Sequence, residues 1–251
     1  MKKIFWLICL LTSYALSGQI NPAVQLFEDD LVFYVSFDDG KGAPLIMDGN
    51  IKFIPSAKKT LIDGVSGKAL KSGRLQYRFD FKNTTFNQNT TFVYWMALTG
   101  DSLLMDKKTI NPIILQGKGA SLLMQRQGWS KNANIMAVLA IPKKKGPLVR
   151  IFNAASPRNW KKYEWHMVAV SWDLNKLCIS IDGKSYAQSV LQSSLSAYYN
   201  DSSGKINSMI VAPVADVAAI DEIMIFNRIL SQDELQRLYS KSRKNNAGKN
   251  R

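Results

Sequence analysis

The sequence predicts an all-β chain, an antiparallel β-sandwich finished by one short C-terminal helix. Three observations predict it. Strand-like runs recur along the chain, separated by Gly, Asn, Asp, Pro and Ser clusters. No stretch between them carries a helical period long enough for a βαβ crossover. The one strong helical signal stands at the end. Ser231 followed by Glu234 forms a capping box, and Leu235, Leu238 and Tyr239 then make one apolar stripe.

The elements follow in order. Lys2 and Lys3, the apolar run Ile4 to Leu11 and the small residues Ala15 to Gly18 have the layout of a secretory signal peptide, residues 1–18. Leu31 to Phe37 is the first strand. Leu75 to Phe81 alternates Leu75, Tyr77, Phe79 and Phe81 with Gln76, Arg78 and Asp80, the period of a half-buried strand. Thr90 to Leu98 is a rich β run. Ile113 to Leu115, Ser121 to Arg126, Ile135 to Ile141 and Leu148 to Phe152 follow. Trp165 to Trp172 and Leu177 to Ile181 flank a turn at Asp173-Leu174-Asn175-Lys176, and Ile206 to Val211 and Ile220 to Phe226 complete the set. About eleven strands with short turns argue for one sandwich domain over residues 19–239. Residues 240–251 carry five basic and no acidic residues and no apolar anchor, so they are expected to be a disordered basic tail.

Of 251 residues, 233 remain once the leader is removed, and the formal charge falls from +14 to +12. That is enough chain for a sizeable core without disulfides. One cysteine remains, Cys178, so no intramolecular disulfide can form; it reads as a small buried apolar residue. No second long apolar run is present. The expected location is therefore secreted or periplasmic, with no membrane span. Lys143-Lys144-Lys145 and Lys161-Lys162 add basic clusters in predicted loops. They read either as a solvated surface or as an attraction to an anionic partner such as an acidic polysaccharide. Nucleic acid is not an expected partner of an exported chain.

Several blocks resemble the laminin-G-like (LamG), concanavalin A-like jelly-roll domains of secreted bacterial proteins. They are Leu31 to Asp38, Gly64-Val65-Ser66-Gly67-Lys68-Ala69-Leu70, Thr91 to Met96, Trp165 to Asp173, Ile179 to Lys184, and Ile220 to Ser231 with its I-D-E-I-M-I-F-N-R-I-L-S run. They stand in the family's order and span Leu31 to Tyr239. The resemblance implies the sandwich fold and a binding module. It also implies a calcium ion at the sandwich rim, with Asp38 and Asp221 as candidate ligands, because a hard ion prefers carboxylate and carbonyl oxygens. The competing reading is that Asp221 hydrogen-bonds a neighbouring turn and that Asp38-Asp39-Gly40 is an ordinary acidic turn. Leu103 to Asn159 matches the family poorly and reads as a long, loop-rich region where ligand preference would be encoded.

The residues argue against catalysis more than for it. The single histidine, His166, sits inside a strand and reads as a packing residue. No G-x-S-x-G turn accompanies it for a Ser-His-Asp triad, and no Cys/His cluster has zinc spacing. The E-x-D-x-x-E strand of laminarinase-type glycosidases is missing, as are the two strand motifs of the jelly-roll alginate lyases. Asp221 and Glu222, adjacent on a strand, should point to opposite faces and make a poor acid pair. Sugar binding needs aromatic platforms and planar polar partners. Trp95, Trp165 and Trp172 lie in strands and read as core. Trp129, Trp160 and the pair Tyr198-Tyr199 lie in polar turn contexts and are the platform candidates, with Arg158 beside Trp160 as a partner for a carboxylate or sulfate. The competing reading of each aromatic is an edge residue covering the core. The expectation is a secreted, non-catalytic module that binds carbohydrate, a polysaccharide or surface glycan. The alternatives are a protein–protein adhesion module and an unrecognised polysaccharide hydrolase or lyase.

Overall fold

The computed structural model describes residues 21–81, 89–100, 109–118, 120–129, 132–141, 149–155, 160–190 and 205–247. The leader therefore lies outside the described residues. Short strands follow an N-terminal 3-10 helix, Val24–Asp30: β1 (Leu31–Val35), β2 (Ile46–Met47), β3 (Ile51–Ile54), β4 (Thr60–Asp63), β5 (Lys68–Ser72) and β6 (Leu75–Phe79). Long strands follow: β7 (Thr90–Leu98), β8 (Thr109–Gly117), β9 (Ser121–Trp129), β10 (Asn132–Ile141) and β11 (Val149–Ala155). The rest are β12 (Trp165–Trp172), β13 (Lys176–Ile181), β14 (Lys184–Val190), β15 (Ile206–Val211) and β16 (Ala218–Phe226), before α1 (Gln232–Ala247).

Two antiparallel sheets face each other. One runs β14-β13-β12-β7-β16-β1-β2, with β5 paired to β16 and β4 to β5; the other runs β11-β10-β9-β8-β15-β6-β3. Between them lies a core from both sheets, including Phe33, Tyr77, Phe92, Tyr94, Leu115, Met124, Trp172 and Ile225. A second cluster covers the other face of the first sheet. There Val93, Trp95, Met167, Ala169 and Met224 meet Val24 and Phe27 of the 3-10 helix and Leu235 and Leu238 of α1. The first sheet is thus buried on both faces, which explains why every residue of β7 and β16 is buried and why both read as nearly continuous apolar runs.

The capping box forms as its residues dictate. The Ser231 amide donates to Glu234 Oε2 at 2.8 Å and the Glu234 amide donates to Ser231 Oγ at 3.3 Å. The helix then runs to Ala247, eight residues beyond Tyr239, so residues 240–247 are helical where a disordered tail was expected. Ser242 is buried and Arg243 bonds Tyr239 Oη at 2.7 Å, which ties the added turns down. The Asp182-Gly183 turn joins β13 to β14 with two consecutive positive φ values, 54° and 74°, as a two-residue hairpin loop requires. A Cβ at Gly183 would lie 2.7 Å from Gln236 Cα, so the glycine also lets α1 seat against the hairpin.

Arg228 fastens the start of α1 to the end of the 3-10 helix. Its Nε donates to Asp30 Oδ2 at 2.7 Å, and Nη1 and Nη2 donate to the two oxygens of Glu234 at 2.9 Å each. The bidentate arginine holds the Glu234 carboxyl down at about 2. With Arg228 about a third exposed at 34%, solvent screening limits the network, so Arg228→Ala is expected to cost about 1 kcal/mol. A carboxyl depressed in the folded state contributes above its unfolded value and loses that contribution as pH falls towards 2. Denaturant melts of the variant should therefore converge on the parent below pH 4; a gap unchanged down to pH 2 would refute the ion-pair account.

Candidate functional site

The second sheet has one face in the core and one face outward. Strand alternation sends Leu75, Tyr77, Leu115, Leu122, Met124 and Met209 inward. Register then lines up the outward residues in two rows across the strands. The first runs Lys52–Arg78–Ser208–Gln116–Ser121–Ala140 and continues by pairing to Arg150. The second runs Ile54–Gln76–Ile210–Ile114–Leu123–Val138 and pairs on to Phe152. Ser208 Oγ donates to Gln116 Oε1 at 3.3 Å, which confirms that both project to this face. Lys52 and Arg78 are exposed; Ile54, Gln76, Ile114, Gln116, Ser121 and Leu123 are half-buried; Ser208, Ile210, Val138 and Ala140 are buried. A mainly polar row beside a mainly apolar row, the latter interrupted by Gln76, puts hydrogen-bonding groups and a hydrophobic track side by side. Neither row contains a carboxylate.

The region 103–159, expected to be loop-rich, supplies β8, β9, β10 and β11 of this sheet. Trp129 ends β9 and pairs with Asn132 across the tip of the β9–β10 hairpin. Arg158, Tyr198 and Tyr199 lie outside the described residues, as do Lys143, Lys144 and Lys145. Trp160 is half-buried and packs against the core. Its ring stacks on His166 with centroids 4.1 Å apart and planes 8° from parallel, so one face is occupied by protein. Trp95 and Trp172 are core residues, and Trp165 packs against the second cluster, as their strands predict.

His166 is held from both sides. Its Nδ1 lies 2.7 Å from Asp182 Oδ2, whose other oxygen accepts the Met167 amide at 3.0 Å. Its Nε2 is buried, lies 3.5 Å from Glu164 Oε2 and makes no hydrogen bond. No nucleophile is placed on it among the described residues. The geometry is that of a corner tie between β12, the loop before it and the β13–β14 turn.

Asp38 and Asp221 come to the same turn, residues 64–68. Asp38 Oδ1 accepts the Lys68 amide at 2.7 Å. Asp221 Oδ2 accepts the Val65 and Ser66 amides at 2.8 and 3.3 Å, and its Oδ1 accepts the Glu222 amide at 2.9 Å. This is why the turn carries Gly64 and Gly67: a Cβ at either would collide with the Asp221 or the Asp38 carboxylate. Glu222, expected on the opposite face, is instead buried with Asp221. The pairing of β16 with β7 slips between Asp221 and Met224, and Glu222 has φ 49°, so a bulge breaks strict alternation. Glu222 Oε2 accepts Tyr34 Oη at 2.9 Å and Asn21 Nδ2 at 3.0 Å, while Oε1 is buried without a partner. Burial above all, and then the charges of Glu222 and Asp38, push Asp221 up; burial, with a smaller push from Asp38, raises Glu222 to about 8 against the pull of its two donors. Among the described residues no group of three or more His, Cys, Asp or Glu side chains is arranged to hold a metal ion.

Cys178, expected to be buried, is half-buried and lines a cavity of about 240 Å³ between β12, β13 and the start of α1, with Ser171, Ser180 and Leu235. Burial pushes its thiol up, which makes it a poor nucleophile. Among the described residues no helix is long and apolar enough to cross a membrane.

The Laminin_G_3 family, described as the concanavalin A-like lectin/glucanases superfamily, matches residues 76–236. No curated protein matches the chain in sequence. Among solved structures, the botulinum neurotoxin serotype D binding domain superposes with a TM-score of 0.65 at 9% identity, over 86% of this chain and 52% of that one. The ligand binding domain of the same serotype, solved in complex with N-acetylneuraminic acid, gives 0.60 at 12% identity over 87% and 52%. The binding domain of Paraclostridial Mosquitocidal Protein 1 gives 0.60 at 14% identity over 84% and 52%. This chain spans about half the length of those it matches, and the likeness is one of fold. The matched profile and the two-sheet architecture together establish that the chain belongs to the concanavalin A-like lectin/glucanases superfamily.

Proposed function

We propose that this is a non-catalytic module that binds carbohydrate, a polysaccharide or surface glycan, on the outward face of the seven-stranded sheet. The observation that carries the reading is the paired row arrangement. Sugar rings present apolar faces and hydroxyl edges, and the Ser208–Gln116 row lies one strand-period from the Ile210–Ile114–Leu123 row. Superfamily membership and the N-acetylneuraminic acid complex of a fold relative support it. A hydrolytic or lyase role has little support, because Asp221 and Glu222 are both 0% exposed and cannot meet a polymer. The protein-adhesion alternative is weaker too: among the described residues the exposed large apolar side chains, Leu26, Met47, Tyr163, Val214 and Ile229, sit on five separate segments. Secretion through the leader, residues 1–18, belongs to the same proposal.

Calcium is proposed as a rim ion that would hold Asp38 and Asp221 to the 64–68 turn, its remaining oxygens coming from backbone. The buried Glu222 Oε1, which has no hydrogen-bond partner, and the nearby Asp221 and Asp38 support that reading, since a divalent ion would supply positive charge there. A glycan-array screen of the chain with calcium and with chelator tests both. Binding to a defined glycan set is expected, and a melting temperature several degrees higher with calcium. A blank array in both conditions would sink the carbohydrate reading; identical melts would sink the ion.

A further inference from the structure

We infer that the glycan is an anionic chain, a polyuronate or sulfated polysaccharide, lying across the strands of the seven-stranded sheet with its acidic groups at the Lys52–Arg78 end. The inference rests on the carbohydrate reading and sharpens it to a charge class and a direction. Lys52 and Arg78 are register partners on neighbouring strands, both exposed, and head the polar row. The row then passes the buried Ser208, whose hydroxyl donates to Gln116, and the half-buried neutral groups of Gln116 and Ser121. From β3 to β9 it crosses four inter-strand steps, about 19 Å. Neither row contains a carboxylate, although the exposed Asp80 follows Arg78 one strand period on, in a chain of formal charge +14. A neutral glycan has no use for a cation pair here, whereas a carboxylate or sulfate accepts a forked pair of bonds from an arginine and a point charge from the lysine. The direction follows from the register: the ligand's hydroxyl edge follows the polar row while its ring faces lie on Ile114 and Leu123.

The test is calorimetric titration of the full chain with polygalacturonate and with dextran, at low and moderate salt. Two double variants are compared, Lys52→Gln/Arg78→Gln on the sheet and Lys241→Gln/Arg243→Gln on α1, which covers the opposite sheet. Each removes two charges from exposed positions, and melting curves verify that each folds. Polygalacturonate is expected to bind at least tenfold more tightly than dextran. The sheet variant should lose about tenfold or more, the worth of one or two charge-assisted hydrogen bonds, and the helix variant less than about twofold by the same conversion. Equal affinity for dextran, or equal losses in the two variants, overturns the anionic inference and leaves the carbohydrate reading standing. Binding to neither polymer, with a blank glycan array, overturns both.

Discussion

Trp95→Ala is expected to destabilise the protein by roughly 3–5 kcal/mol, the cost of a large cavity where the surroundings cannot collapse. Trp95 is 0% exposed and lies on the outer face of the first sheet, under α1. Its indole stacks on Tyr239, with centroids 5.6 Å apart and planes 14° from parallel. Val93, Met167 and Met224 surround it in the same cluster. The helix therefore loses its main partner, and thermal melts should fall by roughly 10 °C or more for a domain of this size. Trp95→Phe separates the two contributions of the side chain. The indole Nε1 is buried without a hydrogen-bond partner, so phenylalanine keeps a stacked ring and removes an unsatisfied donor that costs about 1–3 kcal/mol where it is left unpaired. A milder loss for Trp95→Phe than for Trp95→Ala is the expected order. Equal losses would mean that the stack on Tyr239 contributes nothing.

The second large effect is a stability that declines as pH rises. Burial, the leading cause, raises the Glu222 carboxyl to about 8, and Asp221 is raised as well. A carboxyl whose folded value exceeds its unfolded one binds its proton more tightly in the folded state. Its contribution is fully present below the unfolded value, about 4.3, and is lost as pH rises through about 8. In chelator, the melting temperature should thus fall between about pH 5 and about pH 8.5, against the usual maximum of stability for globular domains. Glu222→Gln keeps an acceptor for Tyr34 and Asn21 and cannot ionise, so its melts should be much flatter over that range. A parent slope equal to that of Glu222→Gln would refute the assignment. With the proposed calcium bound the slope should shrink, because the ion supplies the charge that protons otherwise provide.

What the sequence displays well is what depends on near neighbours along the chain. Thr90–Leu98, Trp165–Trp172 and Ile206–Val211 are strands at the predicted ends, and Ser231 caps the helix with Glu234 as predicted. These signals are local, since alternation, continuous apolar runs and capping chemistry act within a few residues. The short strands β2, β3 and β4 escaped notice because two to four residues carry too little periodicity. The stretch 103–159, expected to be loop-rich, shows short strands in its sequence at Ile113–Leu115, Ser121–Arg126, Ile135–Ile141 and Leu148–Phe152; β8 and β9 run longer than these because pairing with each other and with β10 extends them past the polar residues that interrupt the apolar runs. The helix end was misplaced at Tyr239 because composition does not show that Ser242 finds a buried position and Arg243 a tyrosine.

The site divides along the same line. Asp38 and Asp221 were legible as rim carboxylates through their family-like blocks, and the fold carries both to the 64–68 turn. Glu222 was not, because a one-residue bulge reverses its side and no local pattern announces a bulge. The aromatic candidates rested on polar flanks, which cannot reveal that His166 lies against one face of Trp160. The polar and apolar rows are invisible in one dimension, since Arg78, Ser208 and Gln116 are scattered over 131 positions and meet only by register. By itself, then, the sequence determined the all-β class, the family, the principal strands and the helix start, because short-range hydrogen bonding and side-chain periodicity govern those. Tertiary structure alone decided which residues share a face and which carboxylates are buried together, because pairing between distant strands and burial from water govern those.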